Sequence, residues 1–342
     1  MIKLALLSLA ATACSIEVPA PRACQYTQAA EACCGGCAAA AWCNIRTCAC
    51  EDIESPCGGA TSTIGTGTPP DPGVVPAGTV GKSGGTVDRL WFATTGDTRP
   101  GSCDATNDYP KAAITQIAAS MKALKVQFAL DLGDHMFVCN QSDPEAIQQM
   151  GFYIAAAGGG PATWLMTMGN HECGTGACFA GAPHDANFAA YMAALQRPQP
   201  YYSLDVSTSL GLARFVVIAD DSWSAAQAAW LESTLADADS KAKYTIVARH
   251  HPVTGTRTGV PEIPAAIARH RYSLVLTAHD HSYSHSKSEW NGRTVVVGLG
   301  GAPGSAPPGF GTVLQNQDGT LAFVLRDAFG HPTGTPWTVP PQ

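Results

Sequence analysis

The sequence predicts an α/β fold for the part of the chain from about residue 88 onward, on two observations. Apolar runs of strand length recur there and alternate with alanine-rich segments whose apolar residues have helical spacing. The apolar runs are nearly continuous, which is typical of strands covered on both faces. Alternating strands and helices indicate the α/β class. A chain of 342 residues, 45% of them hydrophobic, can form one large domain with a small appendage.

The strands and helices are expected in a regular order. The strand-like run at 89–97 is followed by a segment in which Ile114, Ile117 and Met121 lie on one helical face. Further strands are expected at 126–134, 163–172, 213–221, 244–252 and 272–281, and further helices near 143–157, 224–238 and 263–270. Two later runs, at 293–301 and 319–327, predict antiparallel strands.

The N-terminus has the pattern of an export signal. The apolar run from Leu4 to Ala13 is too short to span a bilayer and has the length of a signal-peptide core, which predicts a signal peptide over 1–13. Cys14 follows directly, as in a bacterial lipoprotein, so we expect a lipid anchor there. The expected location is a bacterial outer membrane or cell surface, or otherwise the periplasm or the medium. A mature N-terminal helix is the alternative.

The cysteines favour the same compartment. There are 13, and setting Cys14 aside leaves an even number that can pair in an oxidising environment. Eight of them crowd into 24–57, which predicts a small disulfide-rich module over 14–57 with open connectivity. A zinc site remains an alternative, since Cys34-x-x-Cys37 has ligand-like spacing.

Composition divides the rest of the chain. Residues 58–86 are rich in Gly, Pro, Ser and Thr and predict a flexible linker. The globular domain is expected over 87–330 and a C-terminal tail over 331–342. The net charge is −7, with 20 Lys and Arg scattered among 27 Asp and Glu, so there is no nucleic-acid-binding signature. Membrane contact is expected only through the lipid anchor, and the sequence does not indicate an oligomeric state.

Polar side chains follow five of the strand-like runs: Asp97, Asp134, Asn170, His250 and His279. Sites in α/β sheets form outside the carboxyl ends of the strands, although any one such residue alone could simply end a strand. His279 and His281 are two residues apart, which on an extended segment places both imidazoles on one side. Oxygen and nitrogen ligands without thiolate suit Mn, Fe, Zn or Co, and a carboxylate can bridge two of them. This pattern predicts a two-metal site for phosphoryl displacement.

Five short motifs carry a family resemblance: GD at 96–97, GD at 133–134, GNHE at 169–172, HHP at 250–252 and AHDH at 278–281. Together they resemble the blocks of the calcineurin-like metallophosphoesterases, and in particular the purple acid phosphatase-like branch, over about residues 88–328. The resemblance implies a β-sandwich of two mixed sheets flanked by helices. It also implies hydrolysis of a phosphate monoester or diester with two metal ions, Fe, Mn or Zn.

The resemblance assigns roles residue by residue. Asp97 and His281 would bind the first metal ion, Asp134 would bridge, and Asn170, His250 and His279 would bind the second. His171 would polarise the phosphate or protonate the leaving group, and Glu172 would orient His171. His251 is either a substrate contact or an outer residue of the site.

Two positions depart from the family pattern. The family has a histidine ligand where Arg99 stands, and the purple acid phosphatases have a tyrosine ligand where Phe137 stands, so the first metal would keep three protein ligands. Arg99 would either fork onto a substrate phosphate or pair with a nearby carboxylate. His135 could be recruited as a ligand, although its position beside Asp134 favours another direction. A non-catalytic phosphate-binding or cell-surface interaction protein is therefore the alternative function.

Cysteines outside the N-terminal module also lie near the expected site. Cys103 and Cys139 belong to loops that leave the same edge of adjacent strands, so a disulfide between them would tether the rim of the site. Cys173 and Cys178 follow GNHE and could close a tight loop.

Overall fold

A computed structural model describes the residues 41–44, 49–52, 75–173, 185–253, 259–281, 283–285, 296–298, 308–333 and 335–342. Its main body is a sandwich of two mixed β-sheets, which confirms the predicted fold class. A separate antiparallel hairpin, β1 (Ala41–Asn44) and β2 (Ala49–Asp52), lies in the cysteine-rich segment. The signal segment, Cys14 and the rest of the cysteine module lie outside the described residues.

The first sheet of the sandwich has six strands in the order β15-β14-β13-β5-β6-β7. The strands are β5 (Trp91–Thr95), β6 (Phe128–Asp131), β7 (Trp164–Met166), β13 (Gly309–Gln315), β14 (Leu321–Asp327) and β15 (Trp337–Val339). β5, β6 and β7 are parallel neighbours, so their carboxyl ends meet at one edge. β13, β14 and β15 join them antiparallel, as expected for the run at 319–327, which contains β14.

The second sheet has seven strands in the order β12-β11-β10-β9-β8-β4-β3. The strands are β3 (Gly78–Gly81), β4 (Gly84–Val87), β8 (Tyr202–Thr208), β9 (Gly211–Val217), β10 (Tyr244–Ala248), β11 (Leu274–Thr277) and β12 (Val296–Gly298). β9 to β12 run parallel, and β8 pairs antiparallel with β9. The prediction of an antiparallel strand in the run at 293–301 was therefore wrong, because β12 extends the parallel part of this sheet beside β11. All residues of β10 and β11 are buried, as their continuous apolar runs predict.

The helices cover the outer faces of the sandwich. They are α1 (Lys111–Ala123), α2 (Asp143–Ala157), α3 (Ala186–Leu195), α4 (Ala225–Lys241) and α5 (Glu262–Ala268). Ile117 and Met121 of α1 pack against Trp91 on the six-stranded sheet, and Leu231 of α4 packs against Val216 on the other. The side chain of Ser224 accepts a hydrogen bond from the backbone N–H of Gln227 and so caps α4. α3 had no counterpart among the sequence expectations.

Aromatic rings hold the two sheets together. The rings of Phe92 (β5) and Phe128 (β6) stack with their centres 5.1 Å apart, and Phe215 (β9) meets both edge-on from the opposite sheet, with ring centres 5.3 and 5.2 Å away. All three side chains are fully buried. Edge-to-face packing between sheets adds to the apolar burial that stabilises a sandwich.

Two segment boundaries differ from the sequence expectation. β3 and β4 lie inside the expected linker of 58–86, and β4 pairs parallel with β8. β15 lies inside the expected tail of 331–342 and pairs with β14. The composition of 58–86 does not reveal β3 and β4, because such short strands are ordered by backbone pairing and have no long apolar run of their own. Among the described residues, no helix is long and apolar enough to cross a membrane.

Candidate metal centre

The expected ligands lie just beyond the carboxyl ends of five strands, and they come from both sheets. Asp97 follows β5, Asp134 follows β6 and Asn170 follows β7, all in the six-stranded sheet. His250 follows β10 and His279 follows β11 in the seven-stranded sheet. The site is therefore built across the edge of the sandwich, where the two layers face each other.

The backbone at this edge is strained. Of the eight described non-glycine residues with positive φ, four are expected ligands: Asp97 (55°), Asp134 (61°), His279 (75°) and His281 (50°). A non-glycine residue in the left-handed region costs about 1–2 kcal/mol, and such strain gathers at functional sites. His279 and His281 thus lie in a left-handed turn beyond β11. The prediction that they share one side of an extended strand was therefore wrong, because the backbone is not extended at either residue.

Two glycines of the motifs are required by close packing. Gly133 has φ of 96°, and a Cβ there would lie 2.6 Å from the backbone nitrogen of Gly169. A Cβ on Gly169 would in turn collide with the carboxylate of Asp134. The glycines of GD and GNHE therefore let the two loops approach until the side chains of Asp134 and Asn170 meet.

The position predicted for the second metal ion is formed by oxygens of Asp134 and Asn170 and ring nitrogens of His250 and His279. Nε2 of His250 lies 3.3 Å from Oδ1 of Asp134 and 3.1 Å from Oδ1 of Asn170. Nδ1 of His279 lies 2.8 Å from the same Asn170 oxygen and 3.2 Å from Nε2 of His250. Two ring nitrogens and two oxygens that converge in this way form a donor set suited to a divalent ion.

The orientation of His250 also fits a metal ligand. Its Nδ1 lies 2.8 Å from the backbone oxygen of Leu132, and the side chain is fully buried. A ligating histidine typically donates its other ring N–H to a carbonyl, which directs the remaining lone pair at the ion. Without an ion, and despite burial that lowers it, the negative charges of Asp134 and Asp97 raise the pKa of His250 well above its ordinary value. A metal ion there would therefore displace a proton.

The position predicted for the first metal ion is formed by Asp97, Asp134 and His281. The Nε2 atom of His281 lies 3.6 Å from Oδ1 of Asp97, whose carboxylate also accepts the backbone N–H of His279 at 3.0 Å. Burial raises the pKa of Asp97 well above its ordinary value, and the charge of Asp134 adds to the rise. Burial and the nearby Arg99 charge lower the pKa of His281 to about 4, so this imidazole is neutral.

Arg99 lies at the first metal position. Its Nε is 3.3 Å from Oδ2 of Asp134, and its Nη2 is 3.3 Å from Nε2 of His281. Of the two sequence alternatives for Arg99, pairing with a carboxylate is therefore present in the structure.

Glu172 supports the backbone around the shared carboxylate. Its two oxygens accept the N–H groups of Asp134 at 2.9 Å, His135 at 2.6 Å and Gly169 at 2.6 Å, and the side chain is fully buried. Burial alone would raise the pKa of Glu172, but His135 holds it below its ordinary value. The sequence assigned Glu172 to orienting His171; these bonds assign it to the loop of Asp134.

His135 completes this support rather than joining the ligands. Its ring lies between Asp131, 2.9 Å from Nε2, and Glu172, 3.2 Å from Nδ1, with no exposed surface. Tyr153 donates to the other oxygen of Asp131 at 2.9 Å. Burial lowers the pKa of His135, but the two carboxylates outweigh it and raise it to about 10. The sequence analysis missed Asp131, although a carboxylate inside an apolar strand is a signal of a buried polar network.

His171 and His251 flank the cavity above the ligands. The backbone N–H of His171 binds Oδ1 of Asp134 at 3.0 Å, and its ring Nε2 lies 3.7 Å from Oδ2. Asn187 on α3 holds the His171 carbonyl at 2.9 Å and is a further residue that the sequence analysis missed. Nε2 of His251 lies 2.9 Å from Oδ2 of Asp221. The cavity measures about 620 Å³ and is lined by Arg99, Asp134, Asn170, His171, His251, Gly259, His279, Asp280 and His281.

The fold and this donor set define a class of protein, an α/β sandwich with a candidate divalent-metal site at its strand ends. The sequence profile of the calcineurin-like phosphoesterase family matches residues 90–283, more than half of the chain. The chain belongs to this family, as the motifs predict. No curated protein sequence matches the chain significantly.

Solved structures share the fold. A dimetal phosphatase from Danio rerio superposes with a TM-score of 0.53 at 14% identity, covering 74% of this chain and 99% of its own. A purple acid phosphatase from yellow lupin (Lupinus luteus) seeds superposes with a TM-score of 0.53 at 16% identity, covering 77% of this chain and 55% of its own. This chain therefore corresponds to about half of the lupin enzyme, and identities this low establish the fold alone.

A disulfide ties two loops at the rim of the site. Cys103 and Cys139 are bonded, which confirms the expected pairing. Cys173 is also disulfide-bonded, and its expected partner Cys178 lies outside the described residues.

Removing the rim disulfide should destabilise the protein. Replacing both Cys103 and Cys139 by serine should lower the free energy of unfolding by about 4 kcal/mol, because the bond closes a loop of 36 residues in the unfolded chain. Urea unfolding of the variant and the wild type under oxidising conditions measures the difference. A matched comparison under reducing conditions should abolish it, and an equal difference there would contradict the assignment.

Proposed function

We propose that this chain is a metal-dependent phosphoesterase that hydrolyses a phosphate monoester or diester in the cavity above Asp134. The observation that carries the proposal is the convergence of Asp134, Asn170, His250 and His279 at one edge of the sandwich, where the four contacts that join their ligand atoms measure 2.8 to 3.3 Å. Family membership supports phosphoester chemistry for such a donor set. The metal is proposed to be Mn, Fe or Zn.

The residues of the site have distinct roles in this proposal. Asp134, Asn170, His250 and His279 would hold a metal ion. When bound, the ion supplies a water molecule of lowered pKa and neutralises charge on the phosphoryl group. In the reaction, a water oxygen bonds to phosphorus and the bond from phosphorus to the leaving oxygen breaks. The leaving oxygen keeps the electron pair and receives one proton of the water, and the other proton stays on the phosphate product.

His171 is proposed to position the phosphoryl group. Burial lowers its pKa, so at neutral pH the imidazole is uncharged and can donate a hydrogen bond to a phosphoryl oxygen. This favours the polarising role over protonation of the leaving group. His251, held by Asp221, faces the same cavity and would contact the part of the substrate beyond the phosphate.

We also propose that the protein is exported, on the pattern of residues 1–13 and Cys14. The disulfide between Cys103 and Cys139 supports an oxidising compartment, since such bonds are rare in cytosolic proteins. A lipid anchor on Cys14 would place the domain at a membrane surface.

Hydrolysis of 4-nitrophenyl phosphate by the chelator-treated protein tests the function. Addition of Mn²⁺, Fe²⁺ or Zn²⁺ should restore turnover, and Asn170→Ala should lower it at least about 100-fold, because a ligand to the ion is lost. Asn107→Ala, at an exposed asparagine that does not line the cavity, is the matched control and should keep wild-type activity. Absence of turnover with every metal and a set of mono- and diesters, together with calorimetric binding of inorganic phosphate, would favour the non-catalytic phosphate-binding alternative.

A further inference from the structure

The two departures from the family pattern contact each other. Arg99 stands where the family pattern has a histidine ligand, and Phe137 stands where the purple acid phosphatase pattern has a tyrosine ligand. In the structure the guanidinium carbon of Arg99 lies 4.4 Å from the centre of the Phe137 ring. An aromatic face attracts a guanidinium placed over it. The two substitutions therefore form one packed unit beside the first metal position.

The guanidinium engages two of the three side chains that would hold the first ion. It contacts Oδ2 of Asp134 and Nε2 of His281, each at 3.3 Å. Arginine has only donors, so Nε2 of His281 accepts with the lone pair that a metal ion would need. An ion at this position would have to displace both hydrogen bonds and then lie beside a permanent positive charge, which repels it.

Arg99 is also held on its far side. Its Nη1 donates to the backbone oxygen of Pro100 at 2.9 Å, and the side chain is 12% exposed. Moving the Arg99 side chain out of the site would break three hydrogen bonds and the contact with Phe137. The first position thus does not fit a metal ion. The second position does, because Arg99 contacts only Asp134 among its side chains, and does so at Oδ2, whereas Oδ1 is the oxygen that lies against His250.

We propose that the Arg99 guanidinium takes the place of the first metal ion, so that the chain works with one divalent ion at the second position and one fixed cation of its own. The inference rests on the proposed function and specifies its cofactor content. Three of the five N–H groups of Arg99 are used by Asp134, Pro100 and His281. Within the described part of the chain the other two have no acceptor, and they would donate to phosphoryl oxygens in the cavity that Arg99 lines, a geometry for which a planar guanidinium is suited.

Metal content tests the proposal directly. The full chain is loaded with excess Mn²⁺, freed of unbound metal by gel filtration and analysed for manganese per chain. The wild type should hold one ion with an uncoupled single-ion EPR spectrum. Arg99→His removes the cation and restores an imidazole at the family position, so its metal content should double and its spectrum should show an exchange-coupled pair. Arg271→His, at an exposed arginine outside the cavity, is the matched control and should keep one ion.

The outcomes separate this inference from the function on which it rests. Two ions in the active wild type would overturn the role of Arg99 and leave the proposed function standing. No ion and no turnover in the wild type would overturn both. A folded Arg99→His variant that still holds one ion would overturn the inference as well. If that variant fails to fold, Arg99→Ala is analysed in the same way, and its failure to take up a second ion in excess Mn²⁺ has the same meaning.

Discussion

Asp134→Asn should abolish metal binding and lower the turnover of a phosphoester at least about 1,000-fold, a loss of about 4 kcal/mol of transition-state stabilisation. The reason is that Asp134 belongs to both groups of candidate ligand atoms. Burial would raise its pKa, but His250, His171 and Arg99 hold it well below the ordinary value, so the native carboxylate is charged. An amide of the same shape keeps the volume and loses the charge. Metal analysis and steady-state kinetics on the same sample measure both effects.

The matched control for Asp134→Asn is Asp108→Asn, the same exchange at an exposed carboxylate that does not line the cavity. It should keep the wild-type metal content and turnover. Thermal melting of both variants shows that they are folded. A folded Asp134→Asn protein that still holds its metal would contradict the assignment of Asp134 as a ligand of the ion.

Glu172→Gln should lower the free energy of unfolding by about 3 kcal/mol, because it breaks a buried ionic network. The carboxylate accepts three backbone N–H groups and faces the ring of His135, which the structure encloses completely. A glutamine can accept with one oxygen only, and its NH₂ group would face donors. One or more backbone N–H groups around Asp134 would then lose their acceptor. Urea unfolding by circular dichroism measures the loss.

Glu262→Gln provides the comparison for Glu172→Gln, since Glu262 is exposed at the start of α5. It should change stability by less than about 0.5 kcal/mol. Glu172→Gln should in addition weaken metal binding about 10- to 100-fold, because the loop that carries Asp134 loses its support. Equal stability of the two variants would show that Glu172 does not hold that loop.

Much of the fold was predictable because its signals are local. Continuous apolar runs predicted β5, β6, β10 and β11 as strands covered on both faces, and the burial of every residue in them confirms it. Helical spacing predicted α1, α2, α4 and α5. α3 was missed, and so was its Asn187, which binds the backbone of His171. β8 and β13 were missed too, and so were the short strands β3, β4 and β15, whose order depends on pairing partners elsewhere in the chain.

The candidate site, like the fold, was predictable only in part. The sequence by itself determined which side chains follow the strands, because a strand that leaves a buried sheet ends in polar residues at a defined place. It also determined the family, through short motifs that require glycine for close packing, as at Gly133 and Gly169. Both properties depend on residues that lie close together in the sequence, so they can be read from it directly.

Only the tertiary structure decided which side chains meet. It showed that the candidate ligands follow strands of two sheets, that the backbone is left-handed at His279 and His281, and that Glu172 supports the Asp134 loop. It also showed that Arg99 contacts both Asp134 and His281, although 182 residues separate Arg99 from His281 in the chain. The physical reason is that loop conformation and long-range packing set these contacts, and periodicity describes only which face of a strand or helix a residue occupies.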